Sequence, residues 1–197
     1  RRQRQMCIRD SHIIDVGANE GNYIAKILES SSKGNPRIDA FEPSNISFQV
    51  LTQKYHGARN IFLNNFALGD EKMEVSFFED LAHSETSSLI SENTSSDRKR
   101  EIKINIDTLD NIYGDDASLI DFLKIDAEGY DFKILQGAKD LLKDNRIRFI
   151  QFEYNDSWRF SGSTLIACIK YLQSFGYTTL LIQSNGLYEY NYNKFGE

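Results

Sequence analysis

The chain has 197 residues, of which 40% are hydrophobic and 12% aromatic, enough apolar side chains for one domain of ordinary size with its own core. Its formal net charge is −6, and setting aside residues 1–10, with their four arginines and one aspartate, leaves 19 basic against 28 acidic residues, a net of −9 that is a poor electrostatic match to nucleic acid. No apolar run approaches the length needed to span a bilayer, and the two cysteines, Cys7 and Cys168, offer neither a disulfide framework nor a metal-ligand spacing.

Residues 1–10 show no apolar period and abut the first predicted strand without a linker. They read as a non-native or disordered arm, an artefact to be left out of fold reasoning. The alternative is a genuine basic interaction tail. On the first reading the remainder, residues 11–197, is a single domain that is expected to lack part of its N-terminus.

A strand over residues 11–15 leads into Asp15-Val16-Gly17-Ala18-Asn19-Glu20-Gly21, and a helical pattern follows over residues 22–32. Strand, tight turn and helix N-terminus is the construction by which nucleotide-binding α/β domains bring backbone close to a ligand. Gly17 and Gly21 remove the Cβ where the chain must turn, and Asn19 is among the few other residues that visit the left-handed region. A dinucleotide fingerprint places a pyrophosphate on the helix N-terminus and puts no carboxylate in the turn. Asp15 would repel a pyrophosphate and suits a ligand bearing an ammonium and a sulfonium, which describes S-adenosylmethionine.

The run Arg37-Ile38-Asp39-Ala40-Phe41-Glu42-Pro43 predicts a second strand ending in an acid, where nucleotide-binding folds hold a ribose through a carboxylate. A helix over residues 45–56 and a third strand over 60–65 come next. Residues 73–79 and 101–106 alternate polar with apolar side chains, as an antiparallel pair added beside the main unit would. The segment between them, residues 80–100, is polar and aperiodic, so it is either mobile or functional. The apolar run Phe122-Leu123-Lys124-Ile125 then ends in Asp126-Ala127-Glu128-Gly129, followed by a helix over residues 129–144. A strand over 148–153, a helix over 163–175 and a closing hairpin around Asn185-Gly186 complete the chain.

Taken together, DVGANEG, FEP, NFALGD at residues 65–70, TLD at 108–110, LKIDAEGYDFKILQGA at 123–138 and FE at 152–153 resemble, in order and spacing, the FkbM-type family of class I S-adenosylmethionine-dependent methyltransferases. That resemblance implies an α/β fold of Rossmann-like class I methyltransferase type: a seven-stranded, mostly parallel sheet with an antiparallel last strand and an inserted β-hairpin. It implies cofactor contacts from Asp15, Gly17, Ala18, Asn19, Gly21, Asn22, Glu42, Pro43, Asn65, Phe66, Ala67 and Asp126. Gly17, Ala18, Asn19 and Gly21 would line the methionine part, Glu42 would lie at the ribose, Asn65 to Ala67 at the adenine, and Asp126 and Glu128 nearest the transferred methyl. Ser87-Ser88 stands where the family commonly has a serine pair, so the 80–100 loop is expected either to fold over the ligand or to be a disordered linker.

Methyl transfer to a hydroxyl needs a base for the proton that leaves. Asp126 and Glu128 are the first candidates, and Glu153 and His83 the second. One of the pair could instead orient the cofactor's ammonium or cap the helix at Gly129. No metal ligand set is assigned, although paired carboxylates leave Mg2+ open without favouring it. Lys124, Tyr154 and Trp158 are candidate substrate contacts that a solvated lysine or a core aromatic explains equally well. The expected function is S-adenosylmethionine-dependent O-methylation of a sugar, glycan or secondary metabolite by a cytoplasmic enzyme, with a small-molecule or glycan acceptor as partner. Two rivals are a non-catalytic S-adenosylmethionine-binding module and a nicotinamide-dependent oxidoreductase.

Overall fold

The computed structural model describes residues 11–30, 34–80, 89 and 99–190, so the arm at 1–10 and most of the polar segment, including His83, Ser87 and Ser88, lie outside the described residues. In chain order the first half runs β1 (His12–Val16), α1 (Asn22–Ser30), β2 (Arg37–Phe41), α2 (Asn45–Tyr55), β3 (Ile61–Asn64), β4 (Ala67–Leu68), β5 (Met73–Asp80) and β6 (Lys99–Asp107). The second half runs α3 (Leu109–Tyr113), β7 (Ile120–Ile125), α4 (Asp131–Gln136), α5 (Lys139–Lys143), β8 (Ile147–Phe152), a 3-10 turn (Asp156–Arg159), α6 (Leu165–Ser174), β9 (Leu180–Gln183) and β10 (Gly186–Glu189).

The central sheet is wholly parallel, in the order β3-β2-β1-β7-β8. Its inner strands read as nearly continuous apolar runs because both faces are covered. Ile14, Val16, Leu123 and Ile125 point into a core shared with Leu109 of α3, Leu135 of α4, Leu142 of α5 and Leu172 of α6. Their neighbours Ile13, Ile38 and Ala40 pack on Ile24 of α1 and Leu51 of α2. Strand order reverses between β1 and β7, which opens a crevice beyond the carboxyl ends of the strands.

The expected inserted hairpin is present: β5 pairs antiparallel with β6 over eight residues, and β4 adds in parallel to the other edge of β6. Phe77, Ile104, Ile106 and Ala67 form its small core. The expected seven-stranded central sheet is corrected to five strands among the described residues. The Asn185-Gly186 hairpin forms, but β9 and β10 pair with each other as a separate sheet, leaving Leu180, Ile182 and Leu187 exposed. A hairpin signal is local and carries no information on which sheet edge the ribbon joins.

The predicted 129–144 helix is two helices, broken at Gly137. A Cβ at Gly137 would fall 1.9 Å from the Gly69 carbonyl oxygen, so this crossing demands glycine. The Gly137 carbonyl accepts from the Asp110 amide, and the Asp110 carboxylate in turn caps α5 by accepting from the amides of Asp140 and Leu141 at 2.9 and 3.0 Å. Among the described residues no helix is long and apolar enough to cross a membrane.

Candidate active site

A cleft of about 380 Å3 opens at the carboxyl ends of β1, β2, β7 and β8. Gly17, Ala18, Asn19, Asn22 and Tyr23 line it from the first turn and α1, Glu42 and Pro43 from the end of β2, and Phe66, Ala67 and Leu68 from the β3–β4 connection. Asp126, Ala127, Glu128 and Tyr130 enter after β7, and Glu153 after β8.

The first turn is locked by backbone. Gly17 has φ +70°, and a Cβ there would stand 1.9 Å from the Asp126 carbonyl oxygen, so only glycine lets the turns after β1 and β7 lie together. The amides of Gly17 and Ala18 both donate to the Phe41 carbonyl, and the Asp126 amide donates to that of Val16. Three adjacent strand ends are thereby stitched side by side.

Glu42 is 6% exposed. Its Oε2 accepts from the Asn19 amide and its Oε1 from the Ser44 amide, each at 2.8 Å. Burial pushes the carboxyl up to about 7 against the pull of those two amides, with Asp15 raising it and Lys124 lowering it further. A carboxylate oxygen has two lone pairs, so each oxygen of Glu42 retains capacity for another donor.

Asp15 is fully buried, one strand over from Lys124 in the β1–β7 register, and pairs with its ammonium at 3.1 Å. Burial raises the Asp15 carboxyl to about 6 even though Lys124 pulls it down. Lys124 also reaches Asp126 Oδ2 at 3.4 Å and the Gly17 carbonyl at 3.2 Å, under the Tyr23 ring at 5.5 Å. Burial disfavours its charge, but Asp15 and Asp126 outweigh that and hold the ammonium above its ordinary range.

Asp126, Glu128 and Glu153 each bring a carboxylate oxygen within 4.8 Å of the other two. Glu153 is raised by burial, by a hydrogen bond with Asp126 and by the Asp126 charge, against a lowering from Lys124, so the Glu153 carboxyl holds its proton more readily than a free glutamate would. Such oxygen donors also suit a hard cation. Glu128 itself sits at φ 48°, a left-handed conformation costly for a residue with a full side chain, and Gly129 follows at φ +96° against the Ser157 backbone.

Of the residues expected at the site, Gly17, Ala18, Asn19, Asn22, Glu42, Pro43, Phe66, Ala67, Asp126, Glu128 and Glu153 share the cleft. Asp15, Gly21 and Asn65 do not line it. Asp15 lies beneath the turn on Lys124. Gly21 is a packing glycine whose Cβ would meet Tyr55 at 2.4 Å and Leu51 at 2.7 Å. Asn65 donates to the Glu42 carbonyl at 2.9 Å and braces the turn from outside. Lys124 reaches the cleft, whereas Trp158 is a core side chain, stacked on Phe132 and donating to the Glu153 carbonyl at 2.9 Å. Tyr154 packs edge-on against Trp158.

Sequence reasoning missed Tyr23, Lys26, Phe77, Tyr130 and Leu89 as lining residues. Tyr23 and Lys26 could have been found as one face of α1, at i and i+3 after the turn. Phe77 comes from β5, where nothing local points at the cleft, and Leu89 from the segment between β5 and β6, the loop whose serine pair points to the ligand only through the family resemblance.

The family described as the methyltransferase FkbM domain matches residues 15–179. Among solved structures, a methyltransferase FkbM from Methylobacillus flagellatus KT is 19% identical with a TM-score of 0.51, covering 72% of this chain and 32% of its own. The present chain thus spans about a third of that protein's length. The Podospora anserina methyltransferase PaMTH1, solved bound to SAH, is 12% identical with a TM-score of 0.46 and covers 92% of this chain and 72% of its own. No curated protein matches the sequence.

Proposed function

The chain belongs to the methyltransferase FkbM domain family, and from that membership we propose that it is an S-adenosylmethionine-dependent O-methyltransferase acting on a hydroxyl of a sugar, glycan or secondary metabolite. The observation that carries this reading is the acceptor-lined cleft beyond β1, β2 and β7. Glu42 keeps free lone pairs there, and the buried Asn19 Oδ1 has no hydrogen-bond partner among the described residues. An orphaned amide oxygen and the carboxylates of Glu42 and Asp126 suit a ligand carrying vicinal hydroxyls and an ammonium, and Phe41, Phe66 and Leu68 supply the apolar wall an adenine needs.

S-adenosylmethionine, when bound, supplies the methyl group and a sulfonium leaving group. On this reading Glu42 and Pro43 hold the ribose, Gly17, Ala18, Asn19 and Asn22 hold the methionine part, Phe66 and Ala67 flank the adenine, and Asp126 lies nearest the reacting carbon. Much of the rate comes from fixing the acceptor oxygen close to the methyl and in line with the sulfur. Glu128 and Glu153 stand at the cleft as proton acceptors for the hydroxyl, with Glu153 sharing charge with Asp126. Lys124 balances Asp126 and Asp15 from below.

A titration of S-adenosylmethionine and its demethylated product against NAD, followed by melting temperature between pH 5.5 and 8.5, tests this reading. Either the sulfonium or its thioether product is expected to stabilise the fold by about 2.7 kcal/mol at a hundredfold excess over Kd, and NAD to have no effect. Affinity should also rise with pH. Ribose hydroxyls donate to an ionised Glu42, whose carboxyl holds its proton below about 7, so at pH 6 only about a tenth is competent and binding weakens roughly tenfold. Glu42→Gln should flatten that profile. Equal stabilisation by NAD would favour the oxidoreductase, and a profile unchanged in Glu42→Gln would take Glu42 out of the site.

A further inference from the structure

The inserted hairpin carries a buried carboxylate that the proposed chemistry does not use. Glu79, near the end of β5, has no exposed surface, yet it is far from being an isolated charge. Its Oε1 accepts from the Ser44 hydroxyl at 3.0 Å, from the Asn45 amide at 2.7 Å and from the Ile46 amide at 3.4 Å. Its Oε2 accepts from the Arg100 guanidinium, which faces it across the β5–β6 register. Burial alone would push this carboxyl up, but Arg100, Ser44 and the two amides outweigh burial and hold it below the usual range, so it is ionised.

What Glu79 grips is the turn that reads the ligand. Ser44 is the residue whose amide donates to Glu42 Oε1, and it is also the N-cap of α2, with its Oγ accepting from the Ser47 amide. The line Arg100, Glu79, Ser44, Glu42 is therefore continuous in hydrogen bonds, and it joins the inserted hairpin to the carboxylate in the cleft. Glu79 itself does not line the cleft.

We propose that Glu79 is a positioning residue for cofactor binding: by fixing Ser44 it aims the Ser44 amide at Glu42 and so holds the Glu42 carboxylate toward the ribose. This rests on the reading of Glu42 as the ribose ligand. Without Glu79 the Asn45 and Ile46 amides lose their acceptor and the Ser44 hydroxyl its partner, so the turn that aims the Ser44 amide at Glu42 is held less firmly.

The test is a double-mutant cycle read as Kd for S-adenosylhomocysteine by calorimetry on the full chain. Glu79→Ala is expected to weaken binding about tenfold, roughly the loss of one charge-assisted hydrogen bond at Glu42. The same substitution in a Glu42→Gln background is expected to change Kd by less than about twofold, because the group being aimed is gone. Glu79→Gln, which keeps an acceptor for Ser44 and Asn45, should restore affinity to within about threefold of the unaltered chain. Should Glu79→Ala fail to fold, Ser44→Ala takes its place in the cycle, with a two- to fivefold loss expected that likewise vanishes beside Glu42→Gln. An equal loss in both backgrounds would mean that Glu79 acts only on the stability of the fold, and an unchanged Kd would mean that Glu42 is aimed without it; either result overturns the proposal. If the unaltered chain does not bind S-adenosylhomocysteine, the cofactor reading falls and the proposal with it, whereas a Glu42→Gln loss without a Glu79 effect removes the proposal alone.

Discussion

Glu128→Asn is expected to relieve backbone strain at this position while lowering turnover on the true acceptor by about 100-fold or more. The two effects have separate causes. Glu128 is held at φ 48°, a region in which a residue with a long side chain pays on the order of 1 kcal/mol and asparagine much less. Backbone strain of this kind persists where the surroundings impose it, and here the imposing elements are Gly129 against Ser157 and the close approach of Asp126 to Gly17. Removing the carboxylate takes away a proton acceptor beside Asp126 and Glu153, which on the usual scale of general-base loss is worth about 100- to 10,000-fold. Affinity for S-adenosylmethionine should stay within a few-fold. Normal turnover in the variant would give Glu128 a structural role, and the base would then be sought at Glu153.

Gly17→Ala is expected to be the most damaging single substitution at the turn. Two costs add. Alanine at φ +70° pays about 1–2 kcal/mol, and its methyl would stand 1.9 Å from the Asp126 carbonyl oxygen, a backbone atom that cannot rotate away. Relief requires the turn after β7 to move, as overpacked sites do at about 1–3 kcal/mol. A sum of roughly 2–5 kcal/mol is a large part of the 5–15 kcal/mol that holds a typical domain. The same movement would separate Asp126 from Lys124 and the Asn19 amide from Glu42, so binding should fail even where the fold survives. Urea denaturation measures the first effect and ligand titration the second. An alanine variant as stable as the parent would mean that the turns after β1 and β7 are not in contact as described.

Which features were legible in the sequence follows from the range of the interactions involved. The strand, turn and helix start around residues 15–22, the acid closing β2 and the carboxylates after β7 are local patterns, and the parallel order places all three at one end of one sheet. Asp15 shows where local reading stops. Read locally, its charge suits a cationic ligand, but its partner is Lys124, 109 residues away and adjacent only because β1 and β7 are neighbours in register. Gly21 illustrates the same point for shape: a glycine in a turn signals close approach, yet what approaches is Tyr55 from α2. The break at Gly137 needed knowledge of the Gly69 carbonyl crossing above it, and Glu79 needed the β5–β6 pairing that sets Arg100 opposite. Each of these depends on a contact distant in sequence, which periodicity does not encode.

The role of the cleft rests most directly on Glu42, and calorimetric titration of S-adenosylhomocysteine at pH 8 into the unaltered chain and into Glu42→Ala addresses it. Binding to a single site is expected, weakened about a hundredfold or more in the variant, since two charge-assisted hydrogen bonds of on the order of 1.5–3 kcal/mol each are removed. No binding by the unaltered chain, or equal affinity in a folded Glu42→Ala, would contradict the assignment of this cleft to S-adenosylmethionine.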